Sequence, residues 1–122
     1  MSDLDVECPP ELRVAAEAAL RAAGIENGHA SVELVDGERI RELNRRFRGC
    51  DQATDVLAFP VDEAGPAAGP RELGDVVICP ELAGDLEETV VHGVLHLAGH
   101  DHEADAGEML ALQERVLAEL RA

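Results

Sequence analysis

Apolar residues recur along this chain at two periods, one helical and one of two, and the changes between them mark its elements. From about Glu11 to Ala23, Leu12, Ala16, Ala19 and Leu20 share one face of a predicted helix, entered after Pro9-Pro10 and ended by Gly24. Ser31 to Val35 alternates apolar and polar residues and predicts a strand. Ile40, Leu43 and Phe47, three and four apart, predict a helix over Gly37 to Phe47 with these side chains on its apolar stripe. Two further strands are predicted at Asp55–Phe59 and Gly74–Cys79, stopped by Pro60 and Pro80. Asp62–Arg71, rich in Gly, Pro and Ala, reads as a mobile loop. Leu86–Ala98 reads as a helix, and Asp105–Leu120 as a last helix with Met109, Leu112, Val116 and Leu120 on one stripe. The acidic start of that helix, and Arg115 and Arg121 near its end, complement its dipole. One more strand is expected around Leu4–Val6.

These elements describe an α+β fold, a small mixed sheet of about four strands covered by helices. A loop rather than a helix joins Asp55–Phe59 to Gly74–Cys79, so antiparallel or mixed pairing is expected. The 122 residues suit a single compact domain spanning residues 1–122. Phe47 and Phe59 are the only aromatic residues apart from histidine, so the core must be built from Leu, Val, Ile and Ala. No apolar run approaches the ~20 residues that would span a membrane. The acidic opening, Met1 to Asp5, lacks the basic and apolar parts of a signal peptide, and a soluble, cytoplasmic protein is expected. Cys8, Cys50 and Cys79 are odd in number and form no CxxC pair, which suits free thiols in a reducing compartment.

Charge narrows the picture. The formal net charge is −16 and there is no lysine, so the surface as a whole repels nucleic acid at long range. The basic residues are nonetheless clustered: Arg39, Arg41, Arg45, Arg46 and Arg48 are half of the ten arginines. Arg41, Arg45 and Arg48 form a stripe away from the apolar one. For Arg41 and Arg45, a solvated face paired with Glu38 and Glu42 is the simpler reading. Arg48 differs, because Gly49 should end the helix there and a forked guanidinium at a helix end suits a phosphate.

The chemistry is concentrated in His92-Gly93-Val94-Leu95-His96-Leu97-Ala98-Gly99-His100-Asp101-His102. His92 and His96, four apart, share one helix face. Gly99 lets the chain turn, so that His102 can approach the same point. Three imidazoles with no obvious fourth protein ligand describe a catalytic zinc site with an open position. His100 competes for the third place, but on a straight helix it lies about 12 Å along the axis from His92 and converges poorly. The spacing H-x-x-x-H-x-x-G-x-x-H is that of metzincin proteases, except that Gly93 stands where those enzymes carry a glutamate base. Asp101 is placed to orient a histidine or to cap the next segment. His29 reads as a surface residue in a Gly-rich turn.

The segments Glu42-Leu43-Asn44 through Phe47-Arg48-Gly49, Asp51–Pro60 (DQATDVLAFP), Leu73–Glu81 (LGDVVICPE) and Val91–His102 (VHGVLHLAGHDH) resemble YbeY, the bacterial endoribonuclease family of ribosomal RNA maturation. The order and spacing of these segments match from about Ser31 to Leu120. The resemblance implies one zinc ion held by His92, His96 and His102, and a functional arginine at Arg48. It also implies single-strand-specific hydrolysis of ribosomal RNA, 3′-end maturation on the small ribosomal subunit, ribosome quality control, and a zincin-like arrangement around the metal helix. The chain departs from the family pattern at His100, where tyrosine is usual, and in a shorter Glu81–Val91 segment. Two other readings remain: a zinc-containing ribosome-assembly factor without catalysis, and a zinc peptidase or amidase. Sequence does not itself place Arg48 beside the histidines.

Overall fold

The computed structural model describes residues 3–61, 72–101 and 105–122. The loop read at Asp62–Arg71, and His102, lie outside the described residues. Strand β1 (Asp3–Glu7) leads through a 3-10 turn at Pro10–Leu12 into helix α1 (Arg13–Ala22). Strand β2 (Asn27–Leu34), helix α2 (Gly37–Arg48), strand β3 (Val56–Pro60) and strand β4 (Glu72–Ile78) follow. The short helix α3 (Pro80–Ala83), then α4 (Leu86–Leu97) and α5 (Glu108–Leu120), complete the described elements.

The sheet order is β1-β2-β4-β3. β1 and β2 pair in parallel, as do β2 and β4, whereas β3 runs antiparallel to β4 at one edge. The mixed sheet expected from the connections is thus the one formed. Alternation along β4 sends Val76 and Ile78 into the main core and Val77 and Cys79 into a smaller one on the opposite face. The main core joins the sheet to α1, α4 and α5, with Leu20, Val94, Leu95 and Met109 fully buried. The smaller core lies under α2 around Ile40 and Leu57. Its few side chains leave α2 largely solvated, and this decides the fate of Phe47.

Phe47 was expected on the apolar stripe with Ile40 and Leu43, but it is 60% exposed. The buried stripe runs instead through Ile40 and Asn44. Asn44 donates from Nδ2 to the carbonyl of Gln52 at 3.0 Å, tying the helix to the following loop. His29 also departs from expectation, since it lies within β2 rather than in a turn. Its ring bonds Glu7 from β1 at 2.9 Å and Glu72 from β4 at 2.9 Å. No helix among the described residues is long and apolar enough to cross a membrane.

Candidate active site

Helix α4 is built to hold side chains at fixed positions. Asp85 caps its start by accepting from the Glu88 backbone N–H at 3.1 Å, and the backbone bond holds the Asp85 carboxyl below the usual carboxylate range. Glu87 and Glu88 in the first turn oppose the positive end of the helix dipole. Val90, Val91, Val94 and Leu95 are completely buried, so the helix has little freedom to rotate. His92 and His96 share the half-buried face, their ring centroids 4.8 Å apart and their planes at 74°. Gly99, at φ 101°, closes the helix: its N–H bonds His96 O at 3.0 Å and the next N–H, of His100, bonds Leu95 O at 3.1 Å. This is the paired C-terminal closure that glycine favours, and it turns the chain immediately after the second histidine.

A residue that the sequence reading passed over fixes His92. Gln113 of α5 is buried, and its side-chain oxygen lies 2.8 Å from His92 Nδ1. An amide oxygen can only accept, so Nδ1 carries the hydrogen, which in the neutral imidazole leaves the lone pair on Nε2. The available signal was a polar residue on an apolar face, four after Met109 and three before Val116.

Gly93 has a steric reason. A Cβ there would lie 2.7 Å from Val76 Cγ1 and 2.9 Å from Val56 Cγ2. The helix approaches the sheet too closely at this point for a side chain. The glutamate that a metzincin-type peptidase needs is therefore excluded by packing, which weighs against the peptidase reading.

Arg48 reaches the same region from the other side of the sheet. Asp36 caps α2 by accepting from the Arg39 N–H at 2.8 Å, and Gly49, in the left-handed region at φ 71°, ends it. The last helical residue, Arg48, then donates from Nη2 to the Ala58 carbonyl of the edge strand β3 at 2.6 Å. Its guanidinium carbon lies 5.7 Å from the centre of the Phe59 ring. Arg48, Asp55, His92, His96, His100 and Asp101 line one cavity of about 640 Å³, together with Thr54 and the wall of β3. Tertiary structure thus brings together two of the expected histidines and the expected arginine, 44 and 48 positions apart in sequence.

Among the described residues no group of three or more His, Cys, Asp or Glu side chains is close enough to hold a metal ion. His100, though it lines the cavity, therefore does not complete a ligand set with His92 and His96. The two helical imidazoles, one with its tautomer fixed, are of the right chemistry for a borderline metal ion. Elsewhere on α2 three arginines are engaged at the surface: Arg41 with Asp51 at 2.8 Å, Arg39 with Glu42 at 3.6 Å and Arg46 with Glu42 at 3.9 Å. Arg41 thus pairs with a carboxylate beyond the helix rather than with Glu38 or Glu42.

A four-stranded mixed sheet, a buried helix presenting two histidines, and an arginine crossing the sheet edge to meet them define an α+β protein with a histidine–arginine cleft. A model of the Endoribonuclease YbeY family matches residues 10–121. Endoribonuclease YbeY of Salinispora tropica is 40% identical over 98% of this chain and 92% of its own length. That of Rubrobacter xylanophilus is 50% identical over 77% of this chain and 69% of its own. The solution structure of TM1509 from Thermotoga maritima superposes with a TM-score of 0.56 at 29% identity, covering 97% of this chain and 91% of that one. The chain belongs to the endoribonuclease YbeY family.

Proposed function

We propose that the cleft between Arg48 and the α4 histidines is a metal-dependent active site for single-strand-specific cleavage of ribosomal RNA, acting in 3′-end maturation on the small ribosomal subunit and in ribosome quality control. The supporting observation is the meeting of Arg48, His92 and His96 on one cavity. One zinc ion is assigned to His92, His96 and His102. When bound, such an ion supplies a Lewis acid and a nucleophile competent at neutral pH.

The chain's own residues perform the rest. His92 offers its lone pair from Nε2 because Gln113 holds the hydrogen at Nδ1. His96, one turn on, presents its ring to the same space. The Arg48 guanidinium has five N–H donors, and the bond to Ala58 O uses one of them. That bond fixes the plane of the fork, so other donors can engage a phosphate and offset charge built up in the transition state. The buried, apolar flank of α4 keeps the imidazoles in place.

The test is cleavage of a ribosomal RNA fragment bearing a single-stranded 3′ tail, at low salt. Zinc-loaded protein cuts the tail and leaves a matched duplex intact. Chelation, His96→Ala and Arg48→Ala each abolish or sharply reduce cutting. Equal cutting by all samples would refute the assignment. Stoichiometric zinc with no cutting by any sample would favour a ribosome-assembly factor without catalysis.

A further inference from the structure

Phe47 and Phe59, both phenylalanines of a chain without Trp or Tyr, meet beside Arg48. Their ring centroids are 5.5 Å apart and their planes cross at 67°. Phe59 is half-buried against the α2 core, while Phe47 is 60% exposed. Each ring carries an arginine: the Arg46 guanidinium carbon lies 5.6 Å from the Phe47 centroid, and that of Arg48 lies 5.7 Å from the Phe59 centroid. The neighbours of Phe59 on β3, Ala58 and Pro60, line the cavity, as does Arg48. Phe59 itself faces the α2 side, and the aromatic pair adjoins the cleft through Arg48, which both lies against the Phe59 ring and lines the cavity.

A single exposed apolar ring needs no explanation. This one is set in the cluster that holds five of the ten arginines of a chain with net charge −16. Aromatic faces flanked by guanidinium groups are the chemistry that stacks unpaired bases while engaging their phosphates. We infer that Phe47, supported edge-on by Phe59 and flanked by Arg46, is a platform on which one unpaired base of single-stranded RNA stacks next to the phosphate held by Arg48. The inference rests on the endoribonuclease reading and deepens it. It gives the cleft a physical reason to prefer single strands: bases stacked within a duplex present no open face to the ring.

Because the chain lacks Trp and Tyr, Phe47→Trp introduces the sole indole. Zinc-loaded protein carrying Phe47→Trp is titrated with a short single-stranded 2′-O-methyl oligoribonucleotide, and then with the same sequence as a duplex. The single strand quenches the indole and the duplex does not. Phe47→Leu weakens binding of the single strand by about tenfold, and Phe47→Tyr restores it. An indole unmoved by bound single strand, equal quenching by duplex, or Phe47→Leu affinity within about twofold of the unaltered protein overturns the platform. Retained RNA affinity in Phe47→Leu with a changed oligomeric state assigns this face to a second copy of the chain instead. Failure of the unaltered protein to cleave any single strand overturns the platform and the endoribonuclease reading together. Cleavage with undisturbed Phe47→Leu affinity overturns the platform alone.

Discussion

His92 on α4 and Gln113 on α5 are joined by a 2.8 Å hydrogen bond between Nδ1 and the amide oxygen. The bond selects one tautomer of His92 and holds its ring at a fixed angle to that of His96. Partners of this kind behind a ligand histidine are worth roughly 10–100-fold in metal affinity. Gln113→Leu is therefore expected to weaken zinc binding by at least about tenfold, read by competition with a chromophoric chelator. Gln113→Glu keeps the acceptor and should restore most of the loss. Unchanged affinity in Gln113→Leu would reduce the bond to a packing contact.

Gly93 faces Val76 and Val56 at distances that leave no room for a methyl group. Overpacking of a stiff core costs about 1–3 kcal/mol, against which alanine regains up to ~1 kcal/mol of helix propensity. Gly93→Ala should thus destabilise by roughly 1 kcal/mol in urea unfolding. Gly93→Glu should be far worse and should confer no peptidase activity. A fully stable Gly93→Glu would contradict the packing argument.

His29 stands between two carboxylates, Glu72 and Glu7. The hydrogen bond to Glu72, then that to Glu7, raises its pKa above the ordinary histidine value, although partial burial works against them. A raised folded pKa contributes stability that is complete below the unfolded value of about 6.5 and disappears as pH rises through the folded value. The gap in melting temperature between the unaltered protein and His29→Gln should therefore be larger at about pH 6 than at about pH 9. An imidazole titration by NMR with its midpoint at or below the ordinary value would contradict this.

Arg48 bonds the β3 edge and faces the cleft at once. Arg48→Ala should lower kcat/KM for RNA cleavage by about 10²–10³-fold, the range for losing one preorganised donor group at developing charge. Arg48→Lys keeps the charge but loses the fork, so recovery should be only partial. Full activity in Arg48→Lys would mean that charge alone suffices.

Much of this was legible in the sequence, for local reasons. The period of α4 put His92 and His96 on one face, and Gly99 announced the turn after them. What failed was non-local. Asn27-Gly28 looks like a turn, yet pairing with β1 draws it into β2 and puts His29 between two strands. Helical spacing put Phe47 on the apolar stripe, but the sheet ends at β3 and offers it only the edge of Phe59. Gln113 drew no reading at all, because its partner His92 is set by the docking of α5 against α4 and not by anything local. The meeting of Arg48 with the histidines depends on a side chain crossing the sheet edge, which no period encodes.

The central claim is that histidine-bound metal at this cleft performs the RNA cleavage. Its most direct test measures zinc content and cleavage on the same samples of the unaltered protein and of His92→Ala, His96→Ala, His102→Ala and His100→Ala. The account predicts a single zinc ion per chain, loss of zinc and cleavage together in the first three variants, and retention of both in His100→Ala. Cleavage that persists in a variant stripped of its zinc would contradict it.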